Sequence, residues 1–173
     1  MHRFRPVLAA VAALLLCSTA PAAWAADPAP AVAAAKPKPT APDRASIERG
    51  RYLIRTSGCN DCHTPGYTMH NGKVDEKLWL TGDTLGWSGP WGTTYATNLR
   101  LWMPKQTEAE WLEIARSFEP RPPMPWFNVH AMTDRDLRAI YRYVVWLGAA
   151  GKPAPAYVPP GGQATGPVVR FPG

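Results

Sequence analysis

Cysteine is scarce in this chain of 173 residues, with three in all, at positions 17, 59 and 62. A disulfide-stapled fold needs a larger, spaced set. A cysteine-rich zinc site also lacks ligands: beyond the leader, Cys59, Cys62, His63, His70 and His130 could supply four only by recruiting distant residues. No βαβ pattern surrounds the cysteines, which argues against a thioredoxin-like redox pair. No apolar run approaches the roughly 18 to 20 residues that a membrane span needs. Acidic residues are outnumbered 13 to 19 by Lys and Arg, a net charge of +6. That imbalance is too mild to point to nucleic acid or to a polybasic membrane patch, though it would favour an acidic partner surface. There is no internal repeat. The loop region holds no H-x-x-H cluster and no paired carboxylates, so an acid–base centre is not apparent.

What is present is organised from the ends inward. Arg3 and Arg5, the short apolar run from Val7 to Leu16, and Ala23-Trp24-Ala25 read as a secretory signal peptide over residues 1–25, cut after Ala25. Cys17 would leave with it. Leu16 stands where a lipoprotein signal has a small residue. Cleavage removes two basic residues and no acidic ones, leaving +4. Residues 26–42 are Ala, Pro and Lys almost throughout and read as an extended linker. Residues 43–150 are expected to form one small domain. Residues 151–173 are again rich in Pro and Gly and read as a tail along the surface. The expected location is the periplasm, with a membrane tether if the leader is not cut.

Three helices are legible. The first spans about 44–56, capped by Asp43, with Ile47, Gly50 and Ile54 on one stripe and Leu53 beside them. Gly50 costs such a helix about 1 kcal/mol against Ala, a cost that close approach of another helix would explain. The second begins at Thr107, where Thr107 and Glu110 form a capping box, and is stopped by Pro120. The third begins at Thr133, with Asp136 in the reciprocal position and Met132 and Leu137 placed as a staple. It buries Leu137, Ile140, Tyr141, Val144 and Leu147 and ends at Gly148. Residues 64–105, rich in Gly, Pro and Trp, read as loops. Trp79, Trp87, Trp91, Trp102 and Trp126 could cover a large apolar group or simply pack on one another.

Cys59-Asn60-Asp61-Cys62-His63 carries the chemistry. C-x-x-C-H is the attachment signature of a c-type haem. The two thiols add to the porphyrin vinyl groups, and the following His becomes an axial iron ligand. One covalent haem c is therefore expected, held by Cys59, Cys62 and His63. A second axial donor must come from elsewhere. Met69, Met103, Met124 and Met132 offer a soft, neutral thioether, while His70 and His130 keep a bis-His arrangement open. Met124 lies in Arg121-Pro122-Pro123-Met124-Pro125-Trp126, a segment too stiff for helix or central strand. Met132 already has a use as a helix staple.

The order of helix, C-x-x-C-H, loops, Met in a Pro-rich loop and last helix resembles a class I cytochrome c over residues 43–150. More closely it resembles the haem modules of bacterial cytochrome subunits serving periplasmic alcohol and sugar-acid dehydrogenases. The matching stretches are Gly50-Arg51-Tyr52-Leu53 ahead of Gly58-Cys59-Asn60-Asp61-Cys62-His63-Thr64, then Gly89-Pro90-Trp91-Gly92-Thr93-Thr94-Tyr95-Ala96-Thr97-Asn98, Met124-Pro125-Trp126, and the segment from Met132 to Tyr141. The resemblance implies an all-α cytochrome c fold, with three main helices and long loops around one haem. It also implies that Met124, as the Met of the Met-Pro pair, is the second metal ligand. Asn98 and Tyr95 would then lie near a propionate or the ligand sulfur. Those subunits often carry three modules and a membrane anchor, whereas one module stands here. The expected function is one-electron transfer between a periplasmic dehydrogenase and a respiratory acceptor such as an oxidase or another cytochrome, with no catalytic residues. An electron-transfer subunit of a dehydrogenase complex, or a five-coordinate haem sensor or enzyme, are the alternatives.

Overall fold

The computed structural model describes residues 44–172. The leader, the linker and the expected cap Asp43 lie outside the described residues. Among those described, no helix is long and apolar enough to cross a membrane.

Helix α1 runs Arg44–Thr56 and buries Ile47, Gly50, Leu53 and Ile54, the stripe expected from its spacing. The last helix, α6, runs Asp134–Leu147 and buries Leu137, Ile140, Tyr141 and Val144 together with Ala139 and Tyr143. The two helices meet at Gly50. A Cβ on that residue would overlap Ala139 O and sit 2.6 Å from Tyr143 Cβ. The missing side chain is therefore what lets the backbones touch. Thr133 caps α6 by accepting from Asp136 N at 3.2 Å. The Asp136 carboxylate does not complete a capping box; it accepts from Arg49 Nε at 3.0 Å and ties α6 to α1.

Helix α4, Glu108–Ser117, also packs on α6. Its capping box forms as expected, with Thr107 N donating to Glu110 at 2.6 Å and Glu110 N to Thr107 at 3.2 Å. It ends two residues before Glu119, because a residue preceding proline is forced out of the helical region. Trp111 Nε1 donates to Leu137 O at 2.8 Å, so the α4–α6 contact is hydrogen-bonded as well as apolar. Shorter helices fill the connections: α2 (Cys59–His63), α3 (Leu99–Trp102) and α5 (Trp126–His130), with 3-10 turns at Glu76–Leu78 and Met103–Lys105.

The fold is mostly helical but not all-α. Strands β1 (Gly86–Gly89) and β2 (Gly92–Tyr95) form an antiparallel hairpin, and β3 (Val168–Arg170) adds parallel to β1, giving the order β2-β1-β3. Glycine concealed this sheet in the sequence. Glycine ordinarily weakens a strand, yet a Cβ on Gly86 would sit 2.7 Å from Thr93 Cγ2 and 2.9 Å from Val168 Cγ1. The residue that reads as loop is the one that lets three strands close. The tail is likewise not a plain extended segment, since it supplies β3 and an antiparallel bridge from Val158 to Thr93.

Candidate functional site

The site is built around α2. Gly58 takes a left-handed conformation (φ 74°) that turns the chain out of α1 and straight into the one-turn helix. Cys59 and Cys62 are therefore on one turn, and both are free thiols. Burial pushes the Cys59 thiol up to about 11. Burial, and behind it the charges of Asp61 and Asp83, raise Cys62 as well. A dithiol redox centre needs the opposite, a thiol shifted toward thiolate.

His63 is half-buried, and its Nδ1 lies 2.8 Å from Thr97 O. A carbonyl can only accept, so Nδ1 carries the proton and Nε2 keeps its lone pair. Burial lowers the imidazole pKa, with the Thr97 carbonyl pulling the other way. The ring is thus a neutral base with its tautomer fixed by the backbone, the arrangement of a metal-ligating histidine. The framework around it is rigid. His63 O accepts from Gly82 N at 2.8 Å, and Leu80 N donates to Thr64 Oγ1 at 2.8 Å. Thr64 Oγ1 in turn donates to Asn60 Oδ1 at 2.7 Å. Asn60 Nδ2 is buried without a partner, a donor of the kind met by solvent or by a group outside the chain.

These residues fit haem better than a protein-ligated ion. Among the described residues, no three His, Cys, Asp or Glu side chains gather as a metal cluster. A porphyrin brings four nitrogens of its own and asks the protein for axial donors and, in the c type, two thiols. One oriented imidazole beside two free cysteines on the same turn matches that demand.

The candidates for the second axial donor separate by environment. Met69 is 83% exposed. Met103 is 1% exposed and sits in the main core beside α6. Met132 is partly buried and packs against that core, of which Leu137 is a member. Met124 is half-buried in the irregular segment between α4 and α5, where its carbonyl accepts from Trp126 N at 2.9 Å. His70 is exposed, with Nδ1 on Gly66 O at 2.8 Å. His130 has Nε2 on Phe118 O at 3.0 Å and its ring against Trp126. Met124 and Met132 are thus the two half-buried thioethers, Met132 against the core and Met124 in the irregular segment.

Other expectations resolve differently. Asn98 does not reserve its amide for a propionate: Nδ2 donates to Ala150 O and Lys152 O at 2.8 and 3.0 Å, and Oδ1 accepts from Leu101 N. It caps α3 and fastens the chain that leaves α6. Tyr95 donates to Thr165 O at 3.3 Å. Trp79 stands edge-on to Tyr67 and Trp102 edge-on to Trp111, both against the core, while Trp87 and Trp91 lie against Phe171 of the tail.

Three contributors were invisible in the sequence. The Thr97 carbonyl is backbone and has no letter of its own. Thr94 Oγ1 donates to Pro122 O at 2.8 Å, linking the hairpin to the Met124 segment. Arg100, 5% exposed, closes the end of α6 by donating to Gly148 O and to Leu147 O (2.6 Å), and reaches Lys77 O at 3.1 Å. Residues 64–105 read as loops in the sequence, and the cap of α3 by Asn98, which accepts from Leu101 N, shows only in the fold.

No family model matches the chain, and no solved structure matches it. Among curated proteins it is similar to the fructose dehydrogenase cytochrome subunit of Gluconobacter japonicus, 29% identical over 160 residues. The match covers 84% of this chain and 29% of that protein, so the chain spans less than a third of the relative's length. The likeness, at this low identity, supports a cytochrome c-like relationship.

Proposed function

We propose that this protein is a periplasmic monohaem c-type cytochrome that carries single electrons between a dehydrogenase and a respiratory acceptor. The observation that carries the reading is the His63 imidazole, held through Nδ1 by Thr97 O with Nε2 free, on the same turn as two free cysteines. Cys59 and Cys62 would hold the cofactor covalently, and His63 and Met124 would be its axial donors. When bound, haem supplies a one-electron ferric/ferrous couple. The Thr97 carbonyl orients the His63 ring and raises its basicity. A thioether from Met124 is soft and neutral, which favours the reduced state and a higher potential. Pro122, Pro123 and Pro125 restrict the backbone on both sides of that sulfur. With His63 and Met124 both engaged in holding the haem iron, no substrate would be transformed; the chain's work would be to hold, shield and tune the group.

Residues 1–25 act as the export signal in this reading, residues 26–42 as a linker and residues 43–150 as the haem domain. The likeness to a dehydrogenase cytochrome subunit also favours a second reading, in which the chain serves as the electron-transfer subunit of a dehydrogenase complex. Co-purification of a dehydrogenase at stoichiometric yield distinguishes it from a free carrier.

The test of the main reading is the absorption spectrum of the exported protein, ferric and ferrous, with carbon monoxide added to the reduced form. A c-type ferrous spectrum, a weak far-red sulfur-to-iron band in the ferric form that disappears in Met124→Ala, and no response to carbon monoxide are expected. A spectrum that shifts with carbon monoxide in the unmutated protein would replace the carrier with a five-coordinate sensor or enzyme.

A further inference from the structure

The C-terminal tail is joined to the same short strand that serves both sides of the site. Within residues 93–97, β2 and its extension make three kinds of contact. Thr93 exchanges two backbone hydrogen bonds with Val158, at 2.7 and 3.0 Å. Thr94 Oγ1 donates to Pro122 O, two residues before Met124. Thr97 O accepts from His63. The tail also reaches the Met124 segment more directly. Tyr157 Oη donates to Trp91 O at 2.8 Å, and the Arg121 guanidinium lies 3.8 Å above the Tyr157 ring, close enough for a cation–π contact. The close approach is built in: a Cβ on Gly92 would overlap Val158 O and lie 3.0 Å from Tyr157 Oη. Further along, Gly86 N donates to Pro167 O and Phe171 N to Ser88 O, at 2.9 and 2.8 Å. The Phe171 ring then stacks at a tilt on Trp91, 5.4 Å between centroids.

We propose that the tail is a positioning brace. Through Tyr157 and Val158 it fixes the hairpin and Arg121, and so holds residues 118–125, with Met124 among them, at one setting relative to His63. In the part that concerns ligation, this rests on the reading of Met124 as the second axial donor. A surface tail could be trimmed without touching the site. A brace cannot, because loosening it frees the distal segment while the α1–α6 core stays intact. The tail residues are positioning residues; none of them needs to touch the cofactor.

Two mild variants of the full-length holoprotein test the two ends of the brace. Tyr157→Ala removes the hydroxyl and the ring from the tail side, and Thr94→Val removes the hydroxyl on the hairpin side at nearly constant volume. The first readout is hydrogen exchange at the Trp126 and Asn128 amides, which bond to Met124 O and Pro125 O, with Val144 in α6 as the internal control. The second is the affinity of the ferric protein for imidazole, which must displace the distal donor, measured beside Met124→Ala. Loss of one such tie is expected to speed exchange at the two loop amides by roughly three- to tenfold and to raise imidazole affinity by a similar factor, with Val144 unchanged. Unchanged loop exchange in both variants overturns the brace. Faster loop exchange with imidazole affinity unmoved in both, but raised in Met124→Ala, overturns its control of the ligand. Faster loop exchange with imidazole affinity insensitive even to Met124→Ala keeps the brace and overturns the assignment of Met124.

Discussion

Gly50→Ala is the sharpest test of how this fold closes. On an isolated helix the change is favourable by about 1 kcal/mol. In the folded protein the new methyl would lie 2.6 Å from Tyr143 Cβ and 2.7 Å from the Ala139 carbonyl carbon. Carbon atoms settle at about 3.5 Å or more, so α1 and α6 must part by close to 1 Å along the contact. The atoms in the way are helix backbone and a Cβ, which cannot rotate aside. Overpacking of that kind costs about 1 to 3 kcal/mol, and a rigid obstacle belongs at the upper end. The net expectation is a loss of about 2 kcal/mol, read as a lower midpoint in urea with an unchanged slope. Gly50→Leu is expected to prevent accumulation of folded holoprotein altogether. Arg55→Ala, exposed on the same helix, is the control and is expected to stay within about 0.5 kcal/mol. A Gly50→Ala protein as stable as the parent, or more so, would refute the close helix crossing.

Other expectations follow from single side chains. Met103→Ala is expected to cost about 2 to 5 kcal/mol in a denaturant melt because it empties a fully buried core position, and, in the proposed reading, to keep the far-red ferric band that Met124→Ala is expected to remove. Arg100→Lys is expected to lose about 3 kcal/mol, since one ammonium cannot meet the carbonyls of Gly148, Leu147 and Lys77 that the guanidinium forks between; a melt indistinguishable from the parent would deny Arg100 its role as the cap of α6. Burial pushes the Glu108 carboxyl up, but its bonds and charge contacts with Arg142 and Arg138 outweigh that and leave its pKa below the ordinary value. Its share of stability is therefore complete at neutral pH and is lost as pH falls from the ordinary value of about 4.3 through the folded one. Glu108→Gln is expected to lower stability by about 1 kcal/mol at pH 7 and to flatten that acid limb; an unchanged acid slope in the variant would exclude this linkage.

What the sequence disclosed is what short-range physics decides. The start of α4 could be read because Thr107 and Glu110 satisfy each other's backbone within four residues. The stripe of α1 could be read because Ile47, Gly50, Leu53 and Ile54 recur at helical spacing, and the oddity of Gly50 in that stripe was itself the clue to a close neighbour. The sheet could not be read by the same means. Its strands are four residues or fewer, and glycine occupies positions where alternation would otherwise show. Its third strand comes from a segment about 80 residues away whose prolines disguise it. The capping box written into Thr133 and Asp136 was a false friend, because Arg49 on another helix makes the stronger, charged offer to the Asp136 carboxylate.

The site divides along the same line. C-x-x-C-H is contiguous, so its residues could be named without any knowledge of the fold. The feature that makes His63 a plausible ligand is not in the motif at all. It is a carbonyl 34 residues away, two residues past the end of a strand whose close packing depends on Gly86 and Gly92. A similar logic applies to Met124. Its prolines mark a stiff segment, but stiffness does not say where the segment is held. That is decided by the Thr94 hydroxyl and by Arg121 over Tyr157, residues that look interchangeable with other polar or aromatic ones until the chain is folded. A domain of this size has little core to spare for fixing two segments separately. Thr94, on β2, ties the hairpin to the Met124 segment, and Thr97, two residues beyond the end of that strand, holds His63, so in the proposed reading a disturbance at the tail reaches both before it reaches the helices.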